Sequence, residues 1–353
     1  GRYIPVKKND VVNLIKYHMD HNEAGFIQQA RKIASDFQTS GDVILSQYVN
    51  ALIANTNAVS PQSHGFANAI PDAARVVTLD DDPLPLPNAI RDDLRGIINA
   101  VGNAFGVNRF LFQGAPGTGK TESAKQMARI LSRDLYMVET SLLVDSRLGQ
   151  TAKNINTLFQ QINELAHPDK VIILFDEIDT VALDRMNSHD VREMGRATSS
   201  ILKGLDSLNR DVTLIATTNL YDAFDPALRR RFDATVDFNR YTEEDLAAVA
   251  ETLMQHYVNK LPHATPNKRL FSKIIALMPQ IPYPGDMKNL IRTSLAFSSQ
   301  DSSTDYLRRF YASALGHEPN NPTELREEGF TLKEIEALSG VSKSTAARKI
   351  VEA

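Results

Sequence analysis

Cysteine is absent from all 353 residues. That excludes a disulfide framework, a thiolate metal site and a cysteine nucleophile. Long apolar runs are missing too. Nothing approaches the roughly 20 residues that a membrane span needs, and the opening Gly1 to Lys8 has no apolar stretch of the secretory-leader kind. The expectation is a cytoplasmic protein with no membrane contact. Charge of one sign is not in excess: 39 Lys and Arg stand against 43 Asp and Glu, a net −4, which makes no general case for nucleic-acid binding. No internal repeat is visible. What remains is a chain with 42% hydrophobic residues, enough to bury one large core and to form two or three domains.

The most informative stretch is Gly114-Ala115-Pro116-Gly117-Thr118-Gly119-Lys120-Thr121. It fits the phosphate-cradling pattern GxxxxGK(S/T), in which backbone N–H groups wrap the phosphates of a nucleotide. Val107 to Gln113 before it has strand character, and a helical pattern runs from Lys120 through Glu122, Ala124, Met127 and Ile130. The glycines permit positive φ and close backbone approach, and the helix N-terminus favours anionic phosphate. Lys120 is then placed to reach the β- and γ-phosphates, and the Thr121 hydroxyl to ligate Mg²⁺.

About fifty residues on, Ile172-Ile173-Leu174-Phe175-Asp176-Glu177-Ile178-Asp179 follows. The apolar run from Val171 predicts a central strand buried on both faces of a parallel sheet. Asp176 emerges at its carboxyl end, where ligands bind in open α/β sheets, and is expected in the metal shell. Glu177 is placed to orient and polarise an attacking water. Asp179 reads as a helix-start or ion-pair residue.

With these motifs in hand the chain resembles the AAA+ family of ATPases, and four further segments carry the resemblance. Thr213 to Asn219 is similar to the sensor-1 strand, with Asn219 as the polar residue that helps place the water. Leu228-Arg229-Arg230-Arg231-Phe232-Asp233 is similar to the segment whose arginines reach a neighbouring subunit's nucleotide; Arg231 is the foremost candidate, with Arg230 and Arg229 beside it. Arg147-Leu148-Gly149 matches the first pore loop. Tyr283 to Asn289 falls where the helical lid carries its sensor-2 segment. The resemblance implies ATP and Mg²⁺ as cofactors, a doubly wound α/β core with a small helical lid, and assembly into a homo-oligomeric, usually hexameric, ring acting on a protein partner.

Two departures from the family pattern stand out. An aromatic residue usually precedes the pore-loop glycine by two positions; here it is Arg147, which suits acidic or phosphate-bearing substrates. The lid lacks the usual arginine, leaving Lys288 either as its substitute or as a solvated helix residue.

Along the chain we expect a helical module over 1–54, with Val12, Ile15, Met19, Phe26, Ile33, Phe37, Val43, Tyr48 and Leu52 as buried stripes. A linker rich in Asn, Asp, Pro and Ser over 55–84 precedes the nucleotide-binding core at 85–240 and the lid at 241–315, with Thr242 as an N-cap. The tail, 316–353, resembles a helix-turn-helix. Thr331 caps a first helix, Gly340 turns the chain, and Ser342 caps a second helix presenting Lys343, Ser344, Thr345 and Arg348 as candidate DNA contacts. A helical hairpin that docks the lid or a partner is the alternative. Two classes of function follow: an ATP-driven remodelling machine, or a DNA-associated regulator or loader.

Overall fold

A computed structural model describes residues 7–19, 23–40, 43–53, 68–79, 82–103, 105–145, 147, 149–182 and 191–352. The chain divides into two compact units, Gly1–Asn68 and Ala69–Ala353.

The first unit holds α1 (Lys8–Met19), α2 (Glu23–Thr39) and α3 (Val43–Ile53). Its one buried carboxylate, among the described residues, fixes how α1 is turned. Asp10 accepts hydrogen bonds from Gln29 Nε2 at 3.0 Å and Lys32 Nζ at 2.8 Å on α2. Val12, Ile15 and Met19 lie roughly 140–200° around the helix from Asp10 and are therefore exposed, Met19 to 70%. The expectation that these three are buried is corrected: a charged contact, not the apolar stripe, faces inward. Val43 is also exposed, whereas Ile33 is buried as expected. Tyr48 and Leu52 lie outside the described side chains.

The second unit is built on a sheet of β1 (Ala74–Val76), β2 (Arg109–Gln113), β3 (Asp134–Val138), β4 (Val171–Phe175), β5 (Thr213–Thr218) and β6 (Ala234–Asp237). The spatial order is β1-β3-β4-β5-β2-β6, with β1 antiparallel to β3 and every other pair parallel. Successive side chains alternate between two apolar layers, as the pleat requires. Val171, Ile173 and Phe175 join Leu111, Leu214 and Ala216 on one face; Ile172, Leu174, Phe110, Phe112 and Ile215 fill the other. The first layer is covered by α6 (Thr140–Leu143), α7 (Gln150–Asn163), α8 (Asp179–Ala182), α9 (Val191–Asp206) and α10 (Pro226–Arg229); α4 (Asn88–Ala100) and α5 (Lys120–Ile130) cover the second. The fold is the expected doubly wound α/β core with helical additions. Strand β1 lies inside the stretch read as a linker: three residues suffice to add an edge to the sheet, too short a run to be legible against its Asn- and Pro-rich surroundings.

Helices α11 (Glu243–Val258), α12 (Lys268–Leu277), α13 (Pro284–Ala296) and α14 (Asp305–Leu315) follow, then α15 (Pro322–Glu327), α16 (Leu332–Ser339) and α17 (Lys343–Glu352). Thr242 caps α11 and Thr331 caps α16, each in a reciprocal capping box. All seven helices share one apolar core, in which Phe310, Tyr311, Leu325, Phe330, Ile335 and Leu338 are at most 1% exposed. Among the described residues, no helix is long and apolar enough to cross a membrane.

Candidate functional site

Three parallel strands end at one edge of the sheet and place the chemistry there. Past β2, Gly114, Gly117 and Gly119 take φ values of +152°, +77° and +100°, conformations that a Cβ resists. The loop they form leads into the N-terminus of α5. Lys120 is 7% exposed and its Nζ donates to the carbonyls of Gly114 at 2.7 Å and Ala115 at 2.8 Å. Burial pulls its ammonium below the usual value, opposed by the nearby carboxylates of Asp176, Asp179 and Glu177. Thr118 is fully buried and donates to the Ala115 carbonyl at 2.8 Å.

At the end of β4 the side chains converge. Asp176 Oδ1 accepts from Thr121 Oγ1 at 2.8 Å and from Thr217 Oγ1 on β5 at 2.7 Å. The next residue, Glu177, has φ +49°, a left-handed conformation uncommon for a residue with a side chain. Asn219 Nδ2 donates to Glu177 Oε1 at 3.3 Å. Asp179 is the first residue of α8 and 6% exposed. A cavity of about 220 Å³ is lined by Pro116, Gly117, Gly119, Lys120, Thr121 and Glu122 on the loop side. Asp176, Glu177, Thr217 and Asn219 line the opposite side. Thr121 and Asp176 present hard oxygen donors side by side, the donor chemistry that Mg²⁺ takes, so the residues fit that ion.

Residues far apart in sequence complete the cradle. Asn239 Oδ1, beyond β6, accepts the Ala115 N–H at 2.8 Å, and Tyr241 Oη donates to the Thr118 carbonyl at 2.9 Å. At the start of α13 the Gly285 N–H donates to the Gly117 carbonyl at 2.8 Å, so the lid touches the phosphate loop backbone to backbone. Lys288 is not a solvated helix residue: it lines the cavity and its Nζ donates to Asp82 Oδ2 at 2.9 Å. Asp82 also accepts from Tyr257 at 2.9 Å and Lys260 at 3.3 Å. The Lys288 ammonium, helped by the Tyr257 and Lys260 donors and opposed by burial, holds the Asp82 carboxyl far below the usual carboxylate range. Thr217, Asn239, Tyr241 and Asp82 were not singled out from sequence. Thr217 alone had a local signal, as a polar residue inside a buried strand.

The three arginines are not among the residues lining this cavity. Arg229 stacks over the Tyr221 ring at 5.0 Å. Arg231 is half-buried and doubly bonded to Asp206, at 3.0 and 3.3 Å. Arg230 is exposed. Arg147 pairs with Asp145 at 2.8 Å, which lowers that carboxyl to about 2; Gly149, at φ +78°, precedes α7, and Leu148 lies outside the described residues. On α17, Lys343, Ser344 and Arg348 are exposed and Thr345 is half-buried. Glu336 accepts the Lys343 N–H at 3.3 Å and pairs with its ammonium at 3.6 Å.

The family model described as "ATPase family associated with various cellular activities (AAA)" matches residues 110–240. An uncharacterized AAA family ATPase of Sinorhizobium fredii is 38% identical over 133 residues, 38% of this chain and 39% of that one. ATPase family gene 2 protein homolog B of Mus musculus is 33% identical over 156 residues, covering 43% and 20%. A protein of Methanothermobacter thermautotrophicus, named as a homolog of the 26S proteasome regulatory subunit, is 29% identical over 154 residues, covering 43% and 40%. The chain thus spans two fifths or less of these relatives. Among solved structures, a chain of the E. coli MS115-1 HORMA:CdnC:Trip13 complex aligns with a TM-score of 0.49 and 21% identity, over 64% of this chain and 88% of that one.

Proposed function

Through residues 110–240 the chain belongs to the AAA family of ATPases, and on that premise we propose that it hydrolyses ATP at a site completed by a neighbouring copy of itself, driving the remodelling of a protein partner. The observation that carries the reading is the meeting of Lys120, Thr121, Asp176, Glu177 and Asn219 in one cavity that none of its own three arginines lines. The family supports nucleotide hydrolysis; the relative named as a proteasome regulatory subunit homolog supports a protein partner.

In this reading Lys120 leaves the carbonyls of Gly114 and Ala115 for the β- and γ-phosphates. Thr121 and Asp176 would hold Mg²⁺, which when bound neutralises charge on the phosphate oxygens. Glu177, steadied by Asn219, orients the attacking water and takes up its proton. An arginine from the neighbour stabilises the transferring phosphoryl group. Arg230 is the preferred donor, since Arg231 is already held by Asp206 and Arg229 lies over Tyr221. Such an arginine contributes roughly 10³–10⁵ in turnover.

The test is subunit mixing. Glu177→Gln subunits, which bind ATP without turning it over, are titrated into Arg230→Ala or Arg231→Ala subunits. Recovery of activity with the first pair identifies a trans arginine at 230; recovery with neither, at any ratio, removes the shared site. A second reading, DNA contact through α17, draws on the exposure of Lys343, Ser344 and Arg348. Duplex DNA whose binding weakens steeply with salt and is lost in Lys343→Glu/Arg348→Glu supports it.

A further inference from the structure

Thr217 sits on β5, one residue past the Phe175↔Ala216 pairing with β4, and is fully buried. Its hydroxyl serves both acidic residues of the site at once. The oxygen accepts the Glu177 backbone N–H at 2.8 Å, which leaves the hydroxyl proton for Asp176 Oδ1 at 2.7 Å. The main chain of the same residue adds a third tie: its carbonyl accepts the Ile178 N–H at 3.0 Å. The turn 176–178, with Glu177 at φ +49°, is therefore stapled to β5 by one side chain and one carbonyl. A left-handed residue with a side chain persists only when its surroundings impose it, and Thr217 is the contact that does so. The β-branched side chain is stiff at χ1, so its hydroxyl is aimed before any nucleotide arrives.

We propose that Thr217 is a positioning residue for hydrolysis: its hydroxyl sets the rotamer of Asp176 and the backbone turn that presents Glu177. The proposal rests on the hydrolytic reading of this cavity. It assigns Thr217 no contact with the nucleotide, only control of the two carboxylates that serve it.

Valine has nearly the shape of threonine but lacks the hydroxyl, so Thr217→Val removes two hydrogen bonds with little change in packing, and Thr217→Ser restores them. Wild type, Thr217→Val and Thr217→Ser are compared for steady-state ATP turnover and for binding of a fluorescent ATP analogue, with EDTA and with Mg²⁺. Outer groups that orient metal ligands typically cost about 10–100-fold in metal affinity or activity when lost. The expected result is a fall of that size in kcat for Thr217→Val and a smaller gain in analogue affinity on adding Mg²⁺. Affinity in EDTA stays within about twofold of wild type, and Thr217→Ser recovers most of the turnover. The proposal is overturned if Thr217→Val keeps wild-type kcat, if Thr217→Ser falls as far as Thr217→Val, or if affinity in EDTA drops in step with kcat. Should Thr217→Val not fold, Thr217→Ala read by the same criteria decides. Failure of the hydrolytic reading is separately visible: a wild-type protein without ATP turnover, or Glu177→Gln at the wild-type rate, would give it away before Thr217 is touched.

Discussion

The contact between the lid and the phosphate loop yields the sharpest prediction, the substitution Gly285→Ala. The Gly285 N–H donates to the Gly117 carbonyl at 2.8 Å, and a Cβ on Gly285 would stand 2.8 Å from Gly117 Cα and 3.3 Å from its carbonyl oxygen. Ordinary van der Waals contact begins at 3.4 Å. Both sides of the contact are backbone, so no side chain can rotate away, and Gly117 is already committed to φ +77°. The lid must separate from the loop by at least ~0.6 Å, the shortfall to ordinary contact. Overpacking of this kind costs about 1–3 kcal/mol, a drop in Tm of roughly 2–10 °C for a unit of this size. Because the displaced atoms belong to the phosphate cradle, ATP affinity should fall about tenfold or more. Thermal melts and titration with ATP measure both. Gly96 on α4 is the control: a Cβ there meets nothing within 4 Å, so Gly96→Ala should stabilise by about 0.4–1 kcal/mol and leave ATP binding alone. A Gly285→Ala protein with wild-type Tm and wild-type affinity would refute the idea that lid and loop are rigidly joined here.

Other perturbations have equally definite outcomes. Lys120→Ala should abolish the rise in Tm that ATP gives the wild-type protein, which reflects a stabilisation of about 2.7 kcal/mol at a hundredfold excess over Kd. Asp82→Asn should loosen the tie to Lys288, Tyr257 and Lys260 at a cost of about 1–3 kcal/mol, read by urea denaturation at neutral pH. The sign with pH is fixed. The folded carboxyl titrates below its ordinary value of 3.8, so its stabilisation is complete above that value and lost as pH falls through the folded one. Wild type and Asp82→Asn should therefore converge in stability only in strong acid. Deleting residues 321–353 should destabilise the lid rather than remove a detachable module. Leu325, Phe330, Ile335 and Leu338 are at most 1% exposed in the shared core, and each buried side chain is worth about 1.5–3 kcal/mol; a truncated protein with an unchanged melt would contradict this.

The contrast between motif and surroundings explains what was readable. Lys120, Thr121, Asp176, Glu177 and Asn219 meet in one cavity because Asp176, Glu177 and Asn219 directly follow β4 and β5, while Lys120 and Thr121 open α5 after the glycine loop that follows β2; the strands were legible as apolar runs. Arg231 is different. Its residue type and place in the chain marked it as the foremost donor, yet Asp206, 25 residues earlier, already holds it. For helix α1 the expected orientation was overturned by such a long-range contact: its apolar stripe was plain, but one pairing between Asp10 and Lys32 decided which face turned inward.

By itself, then, the order of residues determined the phosphate loop, the acidic strand end, the caps at Thr242 and Thr331, and the α/β class. Each of these depends on backbone geometry within a few consecutive positions, where glycine φ, strand alternation and capping chemistry act locally. Only the tertiary structure decided that Asn239 supports Ala115 from 124 positions away and that Lys288 is clamped by Asp82 across 206. It also decided that the tail is built into the core of the lid. Such contacts depend on which surfaces pack together, and packing selects its partners by shape and burial rather than by neighbourhood in the chain.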